Sequence, residues 1–282
     1  FKDCLFDEAN DLRLRLYKPE RPPLNGTKLP VLVYLYGGGF CVGSRVRPSY
    51  HNTCLRLSSG LNALVVAPDT RLAPESKVPD AVEDGFRAMK WLQGQALVGG
   101  ERDAWVNSGE VDFGRVFVVG DSSGGNIAHH LAVGLGPGSG GLSPVRVRGY
   151  VMMSPFFGGV ARTRSEEGPR ESTLSLEILD GFWRLCIPKG ETRDHPLVNP
   201  FGPMSPDLEP VDLDPILCIV GGCEMLKDRA KDYATRLKEL GKKIEYVELE
   251  GKQHGYFTKD PYSEYATQIL GLIEKFILQG LN

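Results

Sequence analysis

Residues 116–126 read Val-Phe-Val-Val-Gly-Asp-Ser-Ser-Gly-Gly-Asn, and no other stretch limits the possible folds as tightly. The β-branched and aromatic run predicts a buried strand. Gly120 ends it abruptly, Ser122 follows, and a helical pattern from Asn126 to Val133 comes next. Gly120-Asp121-Ser122-Ser123-Gly124 matches Gly-x-Ser-x-Gly, a turn that strains the serine backbone and presents the hydroxyl beyond the sheet. Its glycines are required where a side chain would strike the neighbouring strand or helix. A glycine-rich strand-to-helix turn also suits a phosphate at a helix N-terminus. The alternatives diverge in what the rest of the chain must supply. A nucleophile needs backbone donors and, downstream, an acid and then a histidine, whereas a nucleotide loop needs a lysine.

Strands and helices alternate on either side of this stretch. Asp11 to Tyr17 alternates Leu with Arg and predicts an antiparallel edge strand with one wet face. Val31 to Tyr36, Leu61 to Ala67, Arg115 to Gly120, Val147 to Met153, Pro215 to Val220 and Ile244 to Leu249 read as strands, most of them apolar on both faces. Helical spacing runs from Asp80 to Gln93, Asp228 to Leu240 and Tyr262 to Leu278. Buried strands alternating with helices predict an α/β class fold, with a mostly parallel sheet covered on both faces. At 282 residues the chain is expected to form one such domain over 1–282. The rhythm breaks at about 156–214, where an insertion carrying one amphipathic helix, Leu174 to Leu185, is expected to cap the sheet's C-terminal edge. Because Phe1-Lys2-Asp3-Cys4 already reads as folded sequence without an initial Met, a further N-terminal segment is expected to precede it.

In open parallel sheets the loops after the strands gather at one edge and form the ligand crevice. The loop after Val220 holds Gly221-Gly222-Cys223-Glu224, and the loop after Leu249 holds Gln253-His254-Gly255. Of the five histidines, His254 alone follows the last strand. His129 and His130 fall inside the helix behind Ser122, His51 precedes the serine, and His195 lies in the insertion. His254 is therefore the candidate general base. Glu224 is favoured as the acid that orients it, with Asp228 as competitor; Asp228 is suited to capping the helix that follows. Gly37-Gly38-Gly39, ending the strand at Tyr36, lets backbone approach a substrate closely. The N–H groups of Gly38, Gly39 and Ser123 are the expected oxyanion donors. No Lys-Ser/Thr follows these glycines, which weakens the phosphate alternative. Phe40, Phe156, Phe157, Phe182, Trp183 and Tyr256 are candidates for an apolar pocket, each equally well explained as core.

A formal net charge of −3 with no basic helix argues against a nucleic-acid partner, and none is expected. No apolar run approaches a membrane span of about 20 residues, so no membrane partner is expected. The six cysteines are scattered, with no Cys-x-x-Cys pair and no histidine at ligand spacing. That pattern calls for neither a metal nor a disulfide framework, and favours reduced thiols in the cytoplasm or nucleus. Asn25-Gly26-Thr27 matches a glycosylation sequon, but no hydrophobic signal precedes it and it is taken as chance. The partner expected is a small-molecule ester or lactone, with no cofactor, handled by a monomer or homodimer.

Several motifs together carry a resemblance to a known family. Gly-Gly-Gly-Phe at 37–40, Arg-Leu-Ala-Pro-Glu at 71–75, Gly-Asp-Ser-Ser-Gly-Gly-Asn at 120–126, Asn-Pro-Phe-Gly-Pro at 199–203 and His-Gly at 254–255 resemble the plant carboxylesterases of the hormone-sensitive-lipase-like α/β-hydrolases. The resemblance runs from about Leu12 to the C-terminus and is nearest to the carboxylesterase 15 type, through 116–129, 146–159 and 220–230. It implies an α/β-hydrolase fold and serine esterase activity. It also implies a glutamate as the triad acid, and strigolactones as substrates, attacked by Ser122 at the butenolide ring. The gibberellin receptors share the fold without turnover and lack the catalytic histidine, which this chain has as His254. A non-hydrolytic cyclase or dehydratase on the same scaffold is a further alternative. Two positions depart from the family pattern: Tyr36 stands where a histidine usually precedes the glycines, and Thr70 where a tyrosine usually precedes Arg71. The first bears on the shape of the oxyanion loop rather than on its donors.

Overall fold

The computed structural model describes residues 1–20, 26–97, 102–106, 109–168 and 172–280. Asn25 of the sequon lies outside these. The chain runs β1 (Lys2–Asp7), β2 (Leu12–Tyr17), β3 (Leu29–Leu35), α1 (Pro48–Leu61), β4 (Leu64–Pro68), α2 (Val78–Ala96), β5 (Val111–Asp121) and α3 (Ser123–Leu135). After a 3₁₀ segment it continues through β6 (Val147–Met153), α4 (Leu176–Cys186), β7 (Ile216–Gly221), α5 (Lys227–Glu239), β8 (Ile244–Leu249), α6 (Tyr256–Lys259) and α7 (Glu264–Gln279).

The strands form one eight-stranded sheet in the order β1-β2-β4-β3-β5-β6-β7-β8. From β4 to β8 every pairing is parallel, while β1, β2 and β4 pair antiparallel. This is the alternating architecture the strand and helix pattern implies. It differs from the expectation at β2, which is not an edge. Lys2–Asp7 forms β1 and pairs along it, and Arg15 on β2 donates to the Asp3 carboxylate at 2.6 and 2.9 Å. An arginine expected to face water is therefore buried under a neighbouring strand.

The period of two in the central strands sorts side chains between two cores. Val31, Val33 and Leu35 of β3 and Val118 of β5 pack toward α2 and α3, with Met89, Leu92, Ile127 and Leu131. Leu32, Tyr34, Phe117 and Val119 face the other way, toward Leu57 of α1 and Ile269, Ile273 and Phe276 of α7. Truncating a fully buried aromatic such as Phe117 costs about 3–5 kcal/mol. Such packing on both faces fixes β5, and with it the turn at its end.

Candidate active site

The turn between β5 and α3 is shaped by contacts that leave no room for side chains. Ser122 has φ 53° and ψ −114°, a strained conformation for a residue with a Cβ. A Cβ on Gly120 would lie 2.2 Å from the Gly124 carbonyl, and one on Gly124 would lie 2.0 Å from the Leu35 carbonyl. Helix and strand therefore approach as the Gly-x-Ser-x-Gly pattern anticipates. The Ser122 N–H donates to Met153 O at 2.8 Å and its carbonyl accepts from Phe156 N–H at 2.9 Å. The serine is thereby tied to the end of β6.

His254 arrives from the loop after β8, with Nε2 3.1 Å from Ser122 Oγ. Gly255, at φ 72°, turns the chain from that loop into α6. The loop is held by the segment before α4: Thr173 Oγ1 donates to His254 O at 3.0 Å, and Ser172 Oγ to Gln253 Oε1 at 2.6 Å. Glu224 lies behind the imidazole, its Oε2 3.4 Å from His254 Nδ1, with the side chain almost wholly buried. The structure thus brings Ser122, His254 and Glu224 together in a line. Asp228 is elsewhere: its carboxylate accepts from Ser165 N–H at 2.7 Å. It occupies the first turn of α5 but not the capping position, which belongs to Leu226. His129 and His130 serve packing, with His129 Nδ1 2.9 Å from the Tyr233 hydroxyl and His130 Nε2 3.1 Å from Leu197 O. Burial depresses both imidazoles, His130 to about 4.

Ser154 completes the line, and as an uncharged residue it carries no mark of this role in the sequence. Its hydroxyl donates to Glu224 Oε2 at 2.7 Å, from a left-handed backbone at φ 46°. Among the described residues Glu224 Oε1 has no hydrogen-bond partner, so Ser154 and the imidazole together set the carboxylate's orientation. Ser154 directly follows β6, between β5 and β7 in the sheet. The rule that sends loops to the crevice points to it as it does to Glu224.

Gly37, Gly38 and Gly39 face Ser122 across the crevice. A Cβ on Gly38 would fall 1.9 Å from Val42 O, one on Gly39 2.3 Å from the Phe182 ring, and one on Gly37 2.9 Å from Ser122 Cβ. Among the described residues, the Gly38, Gly39 and Ser123 N–H groups donate to no backbone carbonyl. Tyr36 is turned beneath this loop. Its hydroxyl accepts from Thr70 N–H at 3.0 Å, and its ring stacks on Tyr50 at 5.2 Å. Tyr50 in turn donates to Gly37 O at 2.9 Å. The two positions that depart from the family pattern therefore touch each other and brace the glycine loop from below.

Asp121, beside the nucleophile, is buried, and that burial pushes its carboxyl up to about 6, with the neighbouring Glu224 charge adding to the shift and His254 opposing it. A cavity of about 340 Å³ opens in front of Ser122. Of the expected aromatic residues, Phe156 and Phe182 line it. Phe40, Phe157, Trp183 and Tyr256 do not. Trp183 stacks on Phe156 at 3.8 Å, Phe157 packs on Tyr233 and His129, Phe40 is buried beside both Phe156 and Trp183, and Tyr256 joins the core beneath α7. Leu174, Ile178, Thr173, Val42, Arg47 and Lys259 also line the cavity, and polarity patterns alone did not single them out.

An imidazole 3.1 Å from a strained serine hydroxyl can accept its proton, and a buried carboxylate behind it can hold the required tautomer. Free N–H groups opposite can stabilise an oxyanion. Comparison with known proteins places the chain among α/β hydrolases. The family described as alpha/beta hydrolase fold matches residues 32–258. The chain is similar to "Probable carboxylesterase 8" of Arabidopsis thaliana, 36% identical over 250 residues, covering 86% of this chain and 75% of that protein. It is also similar to "Gibberellin receptor GID1C" of the same plant, 32% identical over 267 residues, covering 90% and 74%. Among solved structures, an esterase of Pyrobaculum calidifontis superposes with a TM-score of 0.80 at 29% identity, covering 98% of this chain and 83% of the other.

Proposed function

The chain belongs to the alpha/beta hydrolase family, and on that premise we propose that it is a serine carboxylesterase acting on small-molecule esters or lactones. The observation that carries this reading is the 3.1 Å approach of His254 Nε2 to Ser122 Oγ, with Glu224 behind the imidazole. Ser122 attacks the carbonyl carbon while His254 takes its proton, and Glu224 stabilises the imidazolium. The N–H groups of Gly38, Gly39 and Ser123 receive the negative charge that develops on the carbonyl oxygen. His254 then protonates the departing alcohol, and water, activated by the same imidazole, releases the acid from Ser122. Residues 156–214 act as a cap, with Phe156, Phe182, Leu174 and Ile178 providing an apolar wall.

The finer reading, hydrolysis of strigolactones through attack on the butenolide ring, rests on the resemblance to the carboxylesterase 15 type. Similarity to gibberellin receptors supports a second reading, ligand binding without turnover. A receptor has no use for an imidazole within reach of the serine, and turnover separates the two. Among the described residues no helix is long and apolar enough to cross a membrane, and all six cysteines are free thiols. The free thiols support a reducing compartment, the cytoplasm or nucleus, and the protein is proposed to act there as a monomer or homodimer. The test is release of nitrophenol from p-nitrophenyl acetate by the purified protein and by Ser122→Ala. Activity in the wild type that disappears in the variant supports the reading, and equal activity in both removes Ser122 from the mechanism.

A further inference from the structure

The cavity before Ser122 has two unlike walls. Phe156, Leu174, Ile178 and Phe182 make one of them apolar. The other is built where α1 and α6 pack against each other, and it carries two cations. Arg47 immediately precedes α1 and Lys259 ends α6. Among the described residues neither forms an ion pair; the Arg47 guanidinium lies 5.9 Å from the Tyr50 ring centroid. Asp260, beside Lys259, accepts instead from Tyr262 N–H at 3.3 Å. Asp121 is the one carboxylate among the described residues lining the cavity, buried next to the nucleophile rather than at the mouth.

A chain of net charge −3 has no general excess of cations to scatter here. Ser49 and Thr258 line the same wall. The first turn of α1 contains no acidic side chain and no side-chain cap, so its dipole adds to the positive field rather than being offset. Low-dielectric walls on the opposite side concentrate that field within the cavity.

The direction of the chemistry assigns this wall to one half of the substrate. His254 leads directly into α6, and the departing alcohol takes its proton from His254. An alcohol portion that leaves along the wall of α1 and α6 leaves the acyl portion to the aromatic wall. Resting on the esterase reading above, we propose that the preferred substrates carry an anionic group, of the carboxylate type, on their alcohol portion, held between Arg47 and Lys259. A neutral butenolide ether makes no use of these cations, so the charge of the leaving group divides this inference from the strigolactone reading.

The test compares 4-acetoxybenzoate with its neutral counterpart 4-acetoxybenzamide, each rate normalised to its hydroxide-catalysed hydrolysis. The expected result is a kcat/KM roughly 5-fold to 10-fold higher for the anionic ester at low ionic strength, shrinking toward parity in about 0.5 M salt. In Arg47→Gln/Lys259→Gln the ratio falls to near one, and Arg47→Lys/Lys259→Arg restores it. A wild-type ratio of one or below, or a ratio that survives the double glutamine substitution, overturns the inference while leaving the esterase reading intact. No turnover of either ester overturns the esterase reading, and this inference with it.

Discussion

Replacing Ser154 by glycine removes the hydroxyl that donates to Glu224 Oε2 at 2.7 Å while suiting the backbone at φ 46°. A hydrogen bond to a charged group contributes about 1.5–3 kcal/mol, and relief of the left-handed strain returns roughly 1 kcal/mol. The fold is therefore expected to lose only about 0.5–2 kcal/mol, which urea denaturation will report. Catalysis loses more. With Oε1 unpartnered among the described residues and the imidazole already 3.4 Å away, the carboxylate has little else to hold its orientation. If the full contribution is lost in the transition state, kcat falls roughly tenfold to a hundredfold, with KM little changed. The assay is p-nitrophenyl acetate hydrolysis from pH 5 to 9 on protein shown to be folded. A kcat within twofold of wild type would refute the reasoning.

Two further substitutions probe the site's charges. Glu224→Gln is expected to lower kcat by about 10³-fold or more, since it removes the charge opposite the imidazolium, whereas Asp228→Asn disturbs only the bond from Ser165 N–H and stays within about tenfold. The reverse ranking in steady-state kinetics would transfer the acid's role to Asp228. Asp121 tests the electrostatics beside the nucleophile: its carboxyl is pushed up by burial to about 6, so the folded protein holds that proton more tightly than the unfolded chain does. Stability from this group is fully present below about pH 4 and falls as pH rises to about 6, by on the order of 2–3 kcal/mol. Asp121→Asn stays neutral and is expected to gain urea resistance over wild type at pH 7.5 but not at pH 4. An equal difference at both values would sink the assignment.

The strands were the most legible part of the chain because burial on both faces writes them as unbroken apolar runs. Val147–Met153 falls where the pattern puts it and Ile216–Gly221 within one residue of it, whereas Ile244–Leu249, also placed by the pattern, is a half-exposed strand with Glu245 and Glu248 among its apolar positions. Lys2–Asp7 was missed because a half-exposed strand of six residues, with Lys and Asp among its apolar positions, has little periodic signal. Helix α1 was missed for a different reason. Its buried face is Tyr50, Thr53, Cys54, Leu57 and Ser58, correct in spacing but with hydroxyls where a helix stripe is expected to be apolar. Ser58 is tolerated there because its hydroxyl donates to Ala63 O at 2.9 Å.

At the site, the ionisable and glycine positions were legible because strand order alone sends Ser122, Glu224, His254 and Gly37–Gly39 to one edge. Neutral groups at the same edge carried no such mark. Ser154 looks like any serine after a strand, and the contact between Tyr36 and Thr70 joins positions 34 residues apart. Pocket aromatics were the least legible, since Trp183 and Phe182 are adjacent on α4 and only their helical phase decides which one faces the cavity.

The central claim is that Ser122 becomes covalently acylated during turnover. Wild-type protein quenched within milliseconds of mixing with p-nitrophenyl acetate, digested and mapped by mass spectrometry, tests it directly. One acetyl group on the peptide containing residues 116–126, localised to Ser122 and gone after turnover is complete, is the predicted result. Nitrophenol release with no acetyl group on Ser122, or with the label on another residue, would contradict it.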